Sequence, residues 1–275
     1  MSDVDKTDPD LEPVEAVYEA LDAGAPAEAL ELTRRALAGG AEDDPVLHFL
    51  AGVALLELDS PEDAVAALNR ACEIDPDDPE FRSRLAEAQY CACRFDDAEK
   101  EARLAVEADD RNPYGHWMLG LLLERRGRFD DADRELNRAA SLAPEEFAPP
   151  VRLSREEFEL HLASTIEALP ASFRRHLDEV GVTVADLPSD EILLAGEPPL
   201  DPELLGLFVG VPLTERSTFS PGGEMPPRIL LFKRNLERHA VDAEELRDEI
   251  AVTLRHELGH FLGLDEDEIE RAGHG

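Results

Sequence analysis

A 34-residue period runs through the first half of the chain. It is carried by three series of equivalent residues: Pro45, Pro79 and Pro113; Ala64, Ala98 and Ala132; and Ala71, Ala105 and Ala139. A fixed period of this length indicates a stacked repeat, because one such unit cannot bury its apolar face alone. Each proline is expected to begin a helix, where its missing N–H costs nothing, and the alanines allow two helices to pack closely. The period therefore predicts a solenoid of helical hairpins.

A weaker copy precedes these units, because Ala29 and Ala36 lie 35 residues before Ala64 and Ala71. Four units are therefore predicted. They resemble the tetratricopeptide repeat, a family of 34-residue helix-turn-helix units, and the fourth unit carries these matching residues: Leu119, Gly120, Gly127, Phe129, Ala132, Ala139 and Pro144. The resemblance covers about residues 12–145 and implies a concave surface that binds a protein or peptide partner. The alternative is that the array only mediates self-association.

The composition limits the partners and the compartment. The formal net charge is −36, from 63 acidic and 27 basic residues, so most of the surface would repel nucleic acid and anionic membranes. No apolar run is long enough to span a membrane, and residues 1–11 form an acidic tail, predicted disordered, where a secretory signal would be basic and then apolar. Three cysteines without a CxxC pair indicate reduced thiols. We expect a cytoplasmic protein that binds neither nucleic acid nor membrane.

The period stops after Pro144, and the sequence changes character. Residues 146–153 are predicted to be a linker, and Ser154 with Glu157 three residues later is typical of a helix N-terminus. Three short apolar or β-branched runs predict a small sheet: Val180–Val184, Leu204–Pro212 and Arg228–Lys233. Residues 154–275 are therefore predicted to form a small α+β domain. The fold class of the whole chain is mainly α.

The last helix of this domain carries a His-Glu-x-x-His motif. Asp242 is its predicted N-cap, and His256 and His260 lie four residues apart, which places both imidazoles on one side of the helix. Two histidines so placed can bind one tetrahedral zinc ion. Glu257 lies beside them, where it can take a proton from zinc-bound water and pass it to the leaving amine. The motif predicts a Zn²⁺-dependent hydrolase with Glu257 as catalytic base.

A catalytic zinc site needs a third protein ligand. Gly263 can end the helix with a positive φ and let the following residues turn back towards the metal. By analogy with the HExxHxxGxxH spacing of metzincins, the third ligand is three residues after the glycine, at Glu266. Asp265 is the alternative.

The stretch from about Arg155 to the end resembles the bacterial minimal zincin-like metallopeptidase family. Besides the terminal motif, the resemblance rests on these segments: Ala168-Leu169-Pro170 followed by Phe173, Leu205-Gly206-Leu207-Phe208, and Val211-Pro212-Leu213-Thr214-Glu215-Arg216-Ser217. It implies a zincin-like α+β fold and zinc-dependent peptidase activity. The family usually has Asp at the position of Glu266. Arg216 is a possible helper that stabilises charge on the substrate.

Three functions are consistent with these features. The first is a peptidase whose repeat array recruits a protein substrate. The second is a repeat-based adaptor whose zincin-like domain is weak or inactive, although an intact Glu257 argues against this. The third is hydrolysis of a small molecule at the same site. The combination of a catalytic motif with a binding array favours the peptidase.

Overall fold

The computed structural model describes residues 11–177, 179–215, 226–265 and 268–269. The tertiary contacts divide the chain into an N-terminal unit, Met1–Phe147, and a C-terminal unit, Ala148–Gly275. Residues 1–10 of the predicted acidic tail lie outside the described residues, as do Arg216 and Glu266. The described residues include no helix with the length and apolar character needed to cross a bilayer.

The N-terminal unit is a stack of helical hairpins. Its helices are α1 (Leu11–Asp22), α2 (Pro26–Ala38), α3 (Pro45–Glu57), α4 (Pro61–Ile74), α5 (Pro79–Cys91), α6 (Phe95–Ala108), α7 (Pro113–Arg125) and α8 (Phe129–Leu142). Each helix packs against the next, and the first helices of neighbouring hairpins also contact one another. The predicted solenoid is confirmed.

The starts of the first helices follow from the period. Residues 34 apart provide the N-caps, and each cap directly precedes a proline: Asp44, Asp78 and Asn112. Their side chains accept hydrogen bonds from backbone N–H groups of the first turn, which satisfies donors that the helix itself cannot pair. Asn112 also donates from Nδ2 to the carbonyl of Pro79 in the preceding unit. The cap therefore joins neighbouring units as well.

Close contact between the two helices of a hairpin requires small residues. A Cβ on Gly120 would lie 2.6 Å from the side chain of Leu136, so only glycine lets α7 and α8 approach this closely. The equivalent residues of the third unit are Ala86 and Ala102, and both are fully buried. Between the fourth and the third unit, the residue on the first helix grows from glycine to alanine and the one opposite shrinks from leucine to alanine. The interior therefore stays filled in both units.

A row of side-chain hydrogen bonds also follows the 34-residue period. In the second, third and fourth units, one nitrogen-bearing side chain donates a hydrogen bond to the carbonyl six residues earlier: His48 to Glu42, Arg82 to Pro76 and His116 to Asp110. Arg82 and His116 also bind a carboxylate 19 residues later, on Glu101 and Glu135, each at 2.6 Å. Both ring nitrogens of His116 face acceptors, so the cationic imidazole fits this place best.

The three cysteines are thiols and form no disulfide, as predicted. Burial raises the pKa of the Cys72 thiol to about 12, so this side chain stays protonated and behaves as a small apolar residue.

Aromatic residues close the C-terminal end of the array, where Trp117 and Tyr114 pack against Phe147 at ring-centroid distances of 5.0 and 5.7 Å.

The C-terminal unit places helices against a small sheet. Its elements are α9 (Arg155–Ala168), α10 (Ala171–Leu177), β1 (Gly181–Ala185), α11 (Asp190–Leu193), β2 (Gly206–Val209), a 3₁₀ helix (Leu213–Glu215), β3 (Arg228–Phe232), α12 (Lys233–His239) and α13 (Ala243–Leu262). The capping box of Ser154 and Glu157 begins α9, as predicted. With the helical solenoid, this unit confirms the expected mainly α fold with a small α+β domain.

The sheet has the strand order β1-β3-β2. β1 runs parallel to β3, and β2 runs antiparallel to it, with Gly206 opposite Leu231 and Phe208 opposite Ile229. Long helix α13 contacts β2 and β3 and buries its apolar face in the core of the unit. β2 is an edge strand of this sheet, and it lies beside the helix that carries the predicted site.

A buried charge network holds the start of this unit. Glu237 is fully buried and accepts hydrogen bonds from the Lys233 ammonium at 2.6 Å and from the backbone N–H of Leu153 at 2.9 Å. Its own carbonyl accepts from the N–H of Val151, and Arg152 pairs with its carboxylate at 3.2 Å. The last residues of the predicted linker are therefore bound to α12.

The contact between His116 and Glu135 predicts a pH-dependent stability of the repeat array. The hydrogen bond to Glu135 raises the pKa of His116 above its usual value. A raised folded-state pKa means that the stabilisation is complete below about pH 6.5, the unfolded value, and is lost as the pH rises through the folded value. We expect the free energy of unfolding of this region to fall by on the order of 1 kcal/mol across that window.

Trp117 is the only tryptophan, so its fluorescence during urea unfolding reports this repeat alone. His116→Gln should remove the pH dependence between pH 5.5 and 8.5 while keeping a neutral donor. An equal dependence in both proteins would show that other groups cause it.

Candidate metal centre

Helix α13 begins and ends as its sequence predicts. The Asp242 side chain accepts from the N–H groups of Glu244 and Glu245, which fixes the first turn. The apolar face is fully buried at four positions with helical spacing: Leu246, Ile250, Leu254 and Leu258. The helix ends at Gly263, whose φ of +79° is left-handed and unfavourable for any side chain with a Cβ. The predicted ligands therefore occupy the last turns of a well-anchored helix.

The two predicted histidine ligands converge. Their Nε2 atoms are 3.0 Å apart, and the rings stand almost perpendicular to each other, both partly exposed. Two nitrogens bound to one tetrahedral zinc ion are separated by about 3.3 Å. The positions of His256 and His260 therefore fit two ligands of one zinc ion, and imidazole is a donor that zinc commonly takes.

Glu257 is buried and anchored. Only 7% of the residue is exposed, and its Oε2 accepts a hydrogen bond of 2.6 Å from the backbone N–H of Phe208. The bond links α13 to the edge strand β2, 49 residues away in sequence. A buried carboxylate without such a donor would carry a large desolvation cost. The strand therefore supplies a group that helps Glu257 to remain in this position.

The close approach of β2 and α13 depends on Gly206. A Cβ at this position would lie 2.5 Å from Cγ2 of Thr253 and 3.1 Å from Cγ of Glu257. Any other residue would push the strand away from the helix. The Leu205–Phe208 segment was part of the family resemblance, but its register against α13 could not be read from the sequence.

A cleft of about 600 Å³ lies over the histidines and Glu257. Its walls come from β2 and the segment after it on one side and from the end of α13 on the other. Apolar side chains contribute much of the lining: Leu204, Leu207, Phe208, Pro212 and Leu264. The three motif residues thus line a surface depression large enough for part of an extended chain.

Asp265, the alternative third ligand, lines the same cleft. Its Oδ1 accepts from the N–H of Glu268, and its own N–H donates to the Glu268 carboxylate, so Asp265 caps the turn that follows. Among the described residues, no three side chains of His, Cys, Asp or Glu form a group that could hold a metal. Glu266 lies outside those residues and stays a prediction, and so does the helper role of Arg216.

Comparison with known families agrees with this organisation. The sequence model described as a zincin-like metallopeptidase matches residues 177–274. The one described as a tetratricopeptide repeat matches residues 20–83 and 55–116. Residues 20–116 are therefore similar to tetratricopeptide repeats, and residues 177–274 to zincin-like metallopeptidases. No protein with a curated description matches the sequence.

Solved structures similar to the chain include those of MamA and YrrB. A crystal structure of MamA is 17% identical with a TM-score of 0.42, over 46% of this chain and 74% of that one. MamA 41-end from Desulfovibrio magneticus RS-1 is 19% identical with a TM-score of 0.44, over 50% and 78%. YrrB, titled a TPR protein with an unusual peptide-binding site, is 22% identical with a TM-score of 0.42, over 50% and 70%.

Gly263→Ala tests how strictly the end of α13 is fixed. The new Cβ would lie 2.1 Å from Oγ1 of Thr214, and the left-handed φ adds a cost of roughly 1–2 kcal/mol. We expect faster hydrogen exchange in the peptides that cover the end of α13, measured by mass spectrometry. The matched control is Gly181→Ala in β1, where the added Cβ meets no atom within 4 Å. Equal exchange in both variants would contradict the required turn.

Proposed function

We propose that the C-terminal unit is a zinc-dependent peptidase and that the repeat array brings it a protein substrate. The observation that supports this most is the pair of His256 and His260 Nε2 atoms, 3.0 Å apart, beside the buried carboxylate of Glu257 in one cleft. Two convergent imidazoles and a neighbouring carboxylate are the groups that zinc-dependent hydrolysis needs.

The protein groups divide the chemistry between them. His256 and His260 would hold the zinc, with Glu266 or Asp265 as the third ligand. Bound zinc supplies a Lewis acid that polarises the substrate carbonyl and acidifies water. Glu257 takes the proton of the attacking water and passes it to the amine that leaves, so the carboxylate must stay close to both. A substrate bound along the wall formed by β2 would lie beside these groups.

A polypeptide suits this cleft better than a small polar molecule. The cleft lies along a strand edge, and much of its lining is apolar, which fits an extended chain with apolar side chains near the cut bond. The solenoid adds a surface of the kind that binds peptides. The net charge of −36 favours a substrate or partner with a basic segment.

Metal analysis of the purified protein tests the site. We expect one zinc per chain in the wild type by mass spectrometry and loss of zinc in His256→Ala, because one imidazole cannot hold the ion. Glu266→Ala should also lose zinc, whereas Asp265→Asn should keep it if Asp265 is only a cap. The reverse result would move the third ligand to Asp265. A wild type that binds no zinc, even when it is supplied, would favour an adaptor protein.

Glu257→Gln separates binding from chemistry. The amide keeps the size of the carboxylate but cannot accept the proton, so we expect cleavage to fall by about 10²- to 10⁴-fold with zinc content unchanged. The measurement is the rate at which a mixture of unfolded, basic proteins is cut in buffer with added zinc. Equal rates for the variant and the wild type would contradict the assigned role of Glu257.

A further inference from the structure

The edge strand β2 presents two kinds of backbone groups. The N–H of Phe232 in β3 donates to the carbonyl of Leu205 at 2.9 Å, which makes these two residues a hydrogen-bonded pair. Such pairs alternate with non-bonded pairs along an antiparallel ladder, so Phe208 and Ile229 form a non-bonded pair. The N–H of Phe208 therefore points away from β3, outward from the edge of the sheet.

This outward N–H does not point into solvent. It donates to Oε2 of Glu257 at 2.6 Å, which is short for an N–H···O hydrogen bond. The approach is possible because Gly206, two residues earlier on the strand, leaves room for α13. A group that an edge strand normally offers to an added strand is thus used to hold a side chain of the motif.

We infer that the backbone amide of Phe208 is the positioning group for the catalytic carboxylate of Glu257. It fixes one oxygen of the carboxylate, and with it the direction in which the side chain faces the cleft. The role in catalysis rests on the proposed peptidase function, but the hydrogen bond itself does not. A substrate that lies along β2 must then bind through groups other than this N–H, since Glu257 already occupies it.

Hydrogen exchange of the zinc-free protein tests the bond without any assay of activity. With ¹⁵N-phenylalanine labelling, NMR follows each phenylalanine amide, and the Phe208 signal is identified by its loss in Phe208→Leu. We expect exchange at Phe208 to be at least about ten-fold faster in Glu257→Ala than in the wild type, because its acceptor is gone. Phe232, bonded within the sheet, and Phe261, within α13, are internal controls and should not change.

Equal protection of Phe208 in the wild type and in Glu257→Ala would overturn the inference. A Phe208 amide that exchanges as fast as an unprotected one in the wild type would overturn it as well. The expected exchange pattern in a protein that cuts no substrate would support the contact and reject the peptidase function instead. Failure of the Phe208–Glu257 contact and failure of the peptidase function are therefore distinguishable.

Kinetics of two variants test the positioning role. Phe208→Ala keeps the N–H and removes the ring from the cleft wall, whereas Phe208→Pro removes the N–H too. An edge strand tolerates proline where its N–H bonds no neighbouring strand. We expect kcat to be about ten-fold lower in Phe208→Pro than in Phe208→Ala, with equal KM and zinc content. Equal kcat in the two variants would overturn the role.

Discussion

Both units depend on places where backbones approach each other more closely than a side chain would allow. In the solenoid, Gly120 lets α7 lie against Leu136 of α8. In the C-terminal unit, Gly206 lets β2 lie against Thr253 and Glu257 of α13. Because protein interiors are packed as densely as crystals, an added methyl group at such a point shifts a whole element. At Gly206 that element forms one wall of the cleft, so the packing and the site depend on the same contact.

This strongly acidic chain pairs a carboxylate that it buries completely. Glu237 is fully buried, and its carboxylate is bound by Lys233, Arg152 and the N–H of Leu153. Removal of one partner from such a group costs several kcal/mol, because it leaves a charge in a low-dielectric interior. Glu257 is a second buried carboxylate, anchored by a backbone amide. The protein thus has a buried acid fixed for structure and another placed beside the predicted metal ligands.

The sequence predicts the features that local spacing determines. The 34-residue period predicted the hairpins, and the positions of Asp242 and Gly263 predicted the bounds of α13 within a residue. Residues four apart on a helix lie on one face whatever surrounds them, so the juxtaposition of the two histidines was readable. The contact of Glu257 with Phe208 was not, because it depends on strand register and on how the sheet packs against α13. The same holds for Glu237, whose burial no local pattern indicates.

The helix α13 connects these observations. Its apolar face is the core of the C-terminal unit, and its last turns carry the motif. A side chain on a helix that the core immobilises is held in place, and proton transfer requires such precise positioning. Glu257 is held from the strand as well as by its own helix. The residue proposed to move protons thus has a restraint from outside its own helix, which suits a group that must face a substrate.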